Sequence, residues 1–500
     1  MNSNKKSRKE VLVENRIHKL KKIISKAEKE KNNELILEAT EAIAFIECSW
    51  NQRFTDDYLE QEMKLVCNRT RPEQGLKENK NKVCIFHDGF GVDMWSGLMY
   101  IYVSALLSLG YQIIYITNED KKDSQPEFHK AMEGENIVYE YYQMCGMNRI
   151  RQAADIDYII KKYTPSIAFL YIPPWDTSSI LAYSWNENIK RFFINATDHT
   201  FWVGKSAFDV CIEFRNYGAA ISEQYRKIAH KQIAILPFYP VVNQNIEFQG
   251  FPFQTEGYKI LFSGGAPYKT YDKNNSYFKM VDSVLSKHRD VIFIYAPQSS
   301  ELRCKEVKAK YPDRFFTVEK RKDLFQVLKR VYAYISTYPI MGGLMTQYAV
   351  MAGKYPFTVW NEDAQGLVLG EDERTLFYDT IEDMENDLDK ALDNEEYLCQ
   401  KEKKLEGRVI SEVEFRRELA KIIKYDESKY KVLQVDGDVN YLQRTMKERF
   451  GYSYICNRAI SRDESRPQLL KYFPILFLKK EFQVACILLK DIFARKKSCE

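Results

Sequence analysis

Two glycine turns in the second half of the chain stand where a strand is expected to pass into a helix. The first turn is Ser263, Gly264 and Gly265, at the end of the run ILFSGG, and the second contains Gly342 and Gly343. Glycines at such a junction leave room for backbone N–H groups and the positive end of a helix to receive an anion. The pattern therefore predicts a diphosphate-binding site.

The second turn begins at Tyr338 and Pro339, and Thr346 and Gln347 are expected to open the helix behind it. An alternative interpretation stays open for this segment, because glycines between a strand and a helix can also serve tight packing alone.

A pair of titratable side chains follows a short strand in the first half, within the run INATDHTFWVG. Asp198 and His199 are adjacent there, and His199 is the only one of six histidines in such a setting. An imidazole titrates near neutral pH, so His199 can accept a proton from an attacking hydroxyl while Asp198 orients the ring. A histidine that only supports the loop by hydrogen bonds is the competing interpretation.

These residues need elements to position them, and the pattern predicts an α/β fold. Short β-rich runs alternate with amphipathic stretches, which is typical of parallel sheets covered by helices. The predicted division is a helical appendage at 1–80, an N-terminal Rossmann-like domain at 81–237, a linker at 238–256, a C-terminal Rossmann-like domain with closing helices at 257–424, and a basic amphipathic helical tail at 425–500.

Two local features refine this division. Thr55 precedes DDYLE and is the expected N-cap of a helix with acids in its first turn. From Met94 to Asn118 there is no charged residue, but Gly110 interrupts the run and QIIYIT is β-rich. A buried helix followed by a buried strand is therefore favoured over a membrane span.

The two α/β domains resemble a GT-B-fold glycosyltransferase. The second domain is similar to the donor domain of group 1 glycosyltransferases and of O-linked N-acetylglucosamine transferases. The resemblance lies in the motifs within residues 81–375 and is stronger in the second half. It implies two Rossmann-like domains facing a cleft, with the donor held by the C-terminal domain and the acceptor by the N-terminal one.

The resemblance also implies a substrate class, namely a nucleotide diphosphate sugar, expected to be uridine-linked, and a glycan, a lipid-linked carrier or a protein as acceptor. In such enzymes the turn formed here by Ser263, Gly264 and Gly265 holds the diphosphate. Lys269 would stabilise the charge that grows on the leaving group. An exposed lysine beside a structural turn is the alternative for Lys269. No cofactor is expected beyond the donor itself.

The chain departs from the group 1 pattern at two positions. Those enzymes usually carry a glutamate before the glycines and a second carboxylate five residues before the glycine that ends the helix. Here the corresponding residues are Ile340 or Met341, and Tyr348. Two other functions consequently stay open: a nucleotide-sugar epimerase of the same fold, and a non-catalytic scaffold that binds nucleotide sugars.

The resemblance assigns an acceptor side as well. The segment at 198–204 is similar to an Asp-His-x-Phe-Trp-x-Gly segment of bacterial glycosyltransferases of this fold, which adds Trp202 to the site. The loop after the first strand would also line the acceptor side, through the following residues: His87, Asp88, Gly89 and Gly91. A Gly-x-Gly spacing does not by itself identify a ligand.

No metal site is expected. Asp155 with Asp157 and Asp436 with Asp438 have the Asp-x-Asp spacing of the other glycosyltransferase fold. The first pair stands at a helix start and the second beyond the donor domain, where a helix-start or turn role is preferred. Ten cysteines without a Cys-x-x-Cys pair indicate reduced thiols.

Charge and termini bear on partners and location. The 74 basic and 70 acidic side chains nearly balance, so no chain-wide field would recruit nucleic acid. The basic N-terminus lacks the apolar segment of a secretory signal, which predicts a cytoplasmic protein. From Arg466 onward, eight basic residues stand against three acidic ones. This tail could lie on the inner membrane face or pack on the protein body.

Overall fold

The computed structural model describes residues 8–50, 53–73, 79–91, 97–143, 148–242, 245–297, 303–319, 321–360 and 368–432. Three helices come first: α1 (Arg8–Lys29), α2 (Asn33–Trp50) and α3 (Asp57–Thr70). The second of them packs against both of the others. Most of the predicted tail, residues 433–500, lies outside the described residues.

The N-cap prediction at Thr55 is wrong by one residue. Asp56 caps α3, because its extended backbone lets the carboxylate accept the N–H groups of Tyr58 and Leu59. The sequence contains two adjacent candidate caps, and only the backbone conformation decides between them.

A seven-stranded sheet follows within the described residues, in the order β3-β2-β1-β4-β5-β6-β7. Its strands are β1 (Lys80–Asp88), β2 (Gln112–Asn118), β3 (Ile137–Tyr142), β4 (Pro165–Tyr171), β5 (Lys190–Ile194), β6 (Val210–Glu213) and β7 (Ile233–Ile235). The helices between them are α4 (Leu98–Ser108), α5 (Pro126–Ala131), α6 (Arg149–Tyr163), α7 (Thr177–Trp185) and α8 (Asn216–Gln224).

The uncharged stretch forms a helix and a strand, as predicted. Its described residues contain α4 and β2, and the chain turns between them at Gly110, whose φ is +81°. No described helix combines the length and the apolar character that crossing a bilayer requires.

The second sheet has five strands among the described residues, in the order β10-β9-β8-β11-β12. They are β8 (Lys259–Gly265), β9 (Val291–Pro297), β10 (Phe315–Thr317), β11 (Ala333–Ile335) and β12 (Pro356–Phe357). The helices between them are α9 (Ser276–Lys287), α10 (Lys305–Lys310), α11 (Leu324–Arg330) and α12 (Gly343–Met351), and the closing helices are α13 (Ile381–Asp393), α14 (Glu395–Lys403) and α15 (Glu412–Tyr425).

Both sheets reverse their strand order beside the first strand. In the first sheet β1 pairs in parallel with β2 on one side and β4 on the other, and in the second β8 pairs in parallel with β9 and β11. This is the Rossmann order, in which ligands bind at the carboxyl ends of the strands flanking the reversal. The predicted fold class, two Rossmann-like domains with helices at both ends, is confirmed.

The chain divides into two compact units. Within the described residues, the first holds the N-terminal helices together with residues up to Ile212 and the segment Ile221–Ala234. The second holds Glu213–Ala220 and the described chain from Ile235 onward. The predicted linker, residues 238–256, therefore groups with the second unit.

Three phenylalanines explain why the linker groups there. Phe248, Phe251 and Phe253 pack against the core cluster around β8 and α11, and the ring of Phe253 stacks on Phe316 with centroids 4.1 Å apart. Their burial fixes a segment that has no regular secondary structure.

Candidate functional site

The two predicted glycine turns lie side by side in the second unit. They follow β8 and β11, the strands that flank the reversal of the second sheet. A Cβ atom on Gly265 would stand 3.2 Å from Cγ2 of Thr337, so the turns approach closely. The N–H of Ile340 also donates to the carbonyl oxygen of Lys269 over 3.1 Å. The structure thus brings the predicted donor residues Gly264, Gly265 and Lys269 against the second turn.

The helix behind the second turn begins earlier than the sequence indicated. Gly343 is the first residue of α12 and Gly342 its N-cap, without any side-chain cap. The N–H of Gly342 donates to Oγ of Ser336 over 3.4 Å. The N–H groups of the first turn of a helix lack partners within the helix, and they carry its positive partial charge. This end of α12 is suited to receive an anion.

Lys269 adds a positive charge beside these N–H groups. It lies in a single 3₁₀ turn, Pro267–Thr270, and its side chain is partly buried. Among the described residues its ammonium group makes no hydrogen bond or ion pair. Burial, together with the nearby charge of Arg215, lowers the pKa of Lys269 to about 8. A partly buried cation without a counter-ion is costly, so a bound anion would stabilise it.

Arg303 holds the turn that carries Lys269, a role that was not predicted from the sequence. Its Nη1 donates to the carbonyl oxygen of Thr270 over 2.8 Å, and its Nη2 donates to that of Pro267 over 2.9 Å. The guanidinium also lies over the ring of Tyr271, 3.2 Å from its centroid. No motif marks this arginine, because the turn that it binds is distant in sequence.

Several predicted donor residues point their side chains into the protein. Oγ of Ser263 accepts a hydrogen bond from the hydroxyl of Tyr277 over 2.5 Å. Thr346 is fully buried, and Tyr338 packs against the core on one face of the sheet. At Pro339 the preceding peptide bond is cis. For these residues, contact with a ligand stays a prediction.

Gln347 and Tyr348 bind the main chain of the same unit. Nε2 of Gln347 donates to the carbonyl oxygen of Phe238 over 2.9 Å, and the hydroxyl of Tyr348 donates to that of Val241 over 2.6 Å. Tyr348 occupies the position at which group 1 enzymes carry a carboxylate. Here its hydroxyl fixes the segment 238–256, which the sequence predicted to be a linker. These two side chains of α12 therefore have a structural role.

In the first unit, the side chains of Asp198 and His199 lie next to each other, which the predicted orienting role of Asp198 requires. Nδ1 of His199 lies 3.1 Å from Oδ1 of Asp198. The His199 side chain is 33% exposed and that of Asp198 6%. A buried carboxylate beside a partly exposed imidazole can fix the orientation of the ring. Catalysis by this pair stays a prediction.

Trp202 is placed differently from the expectation for an acceptor contact. Its side chain is buried, at 1% exposure, with ring centroids 5.4 Å from Phe193 and 5.9 Å from Phe208. The indole is therefore part of the core beneath the loop, and its ring does not line a surface.

His87 is also buried, at the carboxyl end of β1. Its Nδ1 and Nε2 each lie 3.1 Å from a tyrosine hydroxyl, that of Tyr183 and that of Tyr142 respectively. Burial lowers the pKa of His87 to about 3, so the ring is neutral at physiological pH. These contacts give the imidazole a structural role and correct the expectation that it faces an acceptor.

Asp88 supports the loop that follows it. Its carboxylate accepts the hydroxyl of Tyr115 over 2.6 Å and the N–H of Gly91 over 2.9 Å, although burial raises its pKa. Gly89 lies so close to β4 that a Cβ atom would stand 2.7 Å from Cδ of Pro173. The backbone of this loop is engaged as well, since the N–H of Gly89 donates to the carbonyl oxygen of Tyr171 over 2.9 Å and that of Phe90 to the Asp88 carboxylate over 3.0 Å.

No cluster of three or more His, Cys, Asp or Glu side chains in the described part of the chain could hold a metal ion. Asp157, one of the Asp-x-Asp residues, accepts a hydrogen bond from Asn186 over 2.8 Å and pairs with Lys161 at 2.7 Å.

The comparisons with known proteins found similarity among solved structures. No protein-family model and no curated protein matches the sequence. A Thermobaculum terrenum O-GlcNAc transferase mutant aligns at 10% identity over 85% of this chain and 82% of its own, with a TM-score of 0.47. WaaG, a glycosyltransferase involved in lipopolysaccharide biosynthesis, aligns at 11% identity over 69% and 100%, with a TM-score of 0.42. S. aureus MnaA with UDP aligns at 13% identity over 69% and 97%, with a TM-score of 0.45.

Similarities of this size do not establish a function for this chain. Its fold is defined by the two successive parallel sheets with Rossmann strand order. By this architecture the chain has a GT-B-type fold.

Proposed function

We propose that the protein is a glycosyltransferase that moves a sugar from a nucleotide diphosphate, uridine-linked, to a hydroxyl of a glycan, a lipid-linked carrier or a protein. One observation carries the proposal. The glycine turn after β8, the start of α12 and Lys269, whose ammonium has no partner among the described residues, meet where the second sheet reverses its strand order. Backbone N–H groups with one adjacent cation are a suitable set of ligands for a diphosphate.

Each residue group has one step in the proposed reaction. An acceptor hydroxyl gives its proton to His199, which Asp198 orients, while the hydroxyl oxygen bonds to the anomeric carbon. The bond from that carbon to the diphosphate oxygen breaks, and its electron pair leaves with the nucleotide diphosphate. Lys269 and the first N–H groups of α12 stabilise the added negative charge, which is larger in the transition state than in the bound donor.

The absence of carboxylates near the second turn limits how the donor sugar can be held. Ile340, Met341 and Tyr348 cannot accept hydrogen bonds from sugar hydroxyls as carboxylates do, and the Tyr348 hydroxyl is already bound to Val241. Backbone groups of the turn would have to replace them. The epimerase and the scaffold thus remain as outcomes that the experiment must separate from transfer.

Calorimetric titration with UDP tests the donor site. We expect Lys269→Met to weaken UDP binding about 10- to 100-fold, since a hydrogen bond to a charged group contributes roughly 1.5–3 kcal/mol. Lys279→Met is the matched control, because Lys279 is an exposed lysine of the same unit, on α9. His199→Ala should bind UDP like the unmodified protein but transfer sugar at least about 100-fold more slowly.

Three results would contradict the proposal. A full-length protein without affinity for any nucleotide diphosphate has no donor site. Conversion of the nucleotide sugar by the purified protein without an acceptor indicates an epimerase. Tight nucleotide binding without transfer to any of a panel of acceptors indicates the scaffold.

A further inference from the structure

The loop that carries His199 lies on a buried arginine that the proposed reaction does not use directly. Arg226 follows α8, and its side chain has no exposed surface. Burying a guanidinium group is costly unless hydrogen bonds and packing compensate it. The contacts of this side chain therefore indicate what it does.

Two hydrogen bonds of Arg226 go to the residues that flank His199 in the sequence. Nη2 of Arg226 donates to the carbonyl oxygen of Asp198 over 2.7 Å and to that of Thr200 over 2.6 Å. These are the residues directly before and after His199. Nη1 donates to Oγ of Ser222 over 3.0 Å, which ties the guanidinium to α8. The main chain on both sides of the imidazole is thus attached to one rigid, planar group.

Aromatic rings hold that planar group in turn. The guanidinium carbon of Arg226 lies 4.8 Å from the ring centroid of Trp202 and 5.5 Å from that of Phe54. Arginine packs well against aromatic faces while its N–H groups keep donating in its plane. The indole of Trp202 accordingly positions the arginine, and the arginine positions the loop.

The N-terminal helices support the other end of the loop. The carbonyl oxygen of Phe54 accepts the N–H of Trp202 over 3.4 Å. The carboxylate of Glu60, on α3, accepts the N–H of Gly204 over 2.9 Å and that of Lys205 over 3.1 Å. Both Arg226 and the helical appendage therefore hold the segment that contains His199, by hydrogen bonds to its main chain.

We propose that Arg226 is a positioning residue for the Asp198–His199 pair. It fixes the backbone on both sides of His199, so that the imidazole keeps its place beside the Asp198 carboxylate. The inference rests on the proposed function, in which His199 is the base. Arg226 itself touches no reacting atom.

The test compares Arg226→Met, Arg226→Lys and the control Lys227→Met. Lys227 is adjacent to Arg226 but exposed, and it pairs with the equally exposed Asp57 at 3.0 Å. The first readout is the chemical shift and line width of the His199 imidazole in NMR spectra, with the signals assigned through His199→Gln. This readout requires no substrate. The second is the pH profile of sugar transfer, with kcat and KM measured separately.

We expect Arg226→Met to shift and broaden the NMR signals of the His199 imidazole, because the ring loses its fixed distance to Asp198. kcat should fall about 10- to 100-fold, while the KM for the nucleotide sugar and the affinity for UDP stay within about twofold. Arg226→Lys, which keeps a donor but loses the planar fork, should lie between Arg226→Met and the unmodified protein. Lys227→Met should match the unmodified protein in every readout.

The proposal is overturned if both folded variants keep the His199 imidazole signals of the unmodified protein, since Arg226 would then only fill the core. If Arg226→Met does not fold, Arg226→Lys decides alone, and unchanged His199 imidazole signals in it overturn the proposal. Failure of the proposed function is recognised separately, as absent UDP binding or absent transfer in the unmodified protein, and it leaves the NMR comparison valid.

Discussion

At the scale of single residues, the pKa of Lys269 leads to a pH dependence. Burial and the charge of Arg215 lower that pKa to about 8, so above pH 8 the free protein progressively loses the charge that the diphosphate needs. We expect UDP affinity to fall about tenfold from one pH unit below to one unit above this pKa. The diphosphate group of UDP changes little in charge over this range, because the second pKa of a phosphate is about 6.

Titration calorimetry at pH 7, 8 and 9 measures this dependence. Lys269→Met should show weak binding with no such fall, and Lys279→Met should follow the unmodified protein. Identical pH profiles for the unmodified protein and Lys269→Met would show that another group controls the dependence.

The same scale shows what the sequence reveals about a site. Gly264, Gly265 and the Asp198–His199 pair could be singled out, because local residue types and spacing mark them. Arg226 and Arg303 could not, since their roles come from carbonyl groups that only the fold brings near. The direction of the His87 side chain was equally hidden, because a strand buried on both faces has no polar alternation to show it.

At the scale of elements, the N-terminal helices are bound to the first sheet through Arg149, at the start of α6. Nε and Nη2 of Arg149 bind both carboxylate oxygens of Glu41, at 2.6 and 3.0 Å. The carboxylate of Glu34 accepts the N–H groups of Arg149 and Ile150, while burial raises its pKa. Arg149 is 2% exposed, and a second buried glutamate, Glu38, also lies near it.

We expect Arg149→Met to reduce the free energy of unfolding by about 3–5 kcal/mol, because it leaves buried carboxylates without their cation. Urea unfolding measures the loss, and limited proteolysis should show that α1–α3 become accessible. Arg151→Met, at an exposed position of the same helix, should change stability by less than about 0.5 kcal/mol. A loss below about 1 kcal/mol for Arg149→Met would contradict a docking role.

Elements were predictable where a run of β-rich residues is long. The runs IVYEYY and VIFIYA match β3 and β9 to within one residue at either end. The start of α12 was placed too late, because Gly342 and Gly343 carry no side chain to signal a cap.

At the scale of the whole molecule, both sheets could be predicted from the sequence, but the grouping of residues 238–256 with the second unit could not. Residues 238–256 have two prolines and no helical period, which indicates a linker. Their phenylalanines nevertheless belong to the core of the second unit. Such membership depends on which surface a side chain meets in space, and local composition does not contain that information.

Two units with separate cores should unfold in two steps. Differential scanning calorimetry of the full chain is expected to show two transitions, because cooperativity extends only as far as continuous packing. UDP at about 100 times its Kd should stabilise one of them by about 2.7 kcal/mol. This should be the transition of the unit with Lys269, whereas Arg149→Met should lower the other. A single transition that both UDP and Arg149→Met shift would mean that the units unfold as one, and the division at Ile235 would then have no thermodynamic meaning.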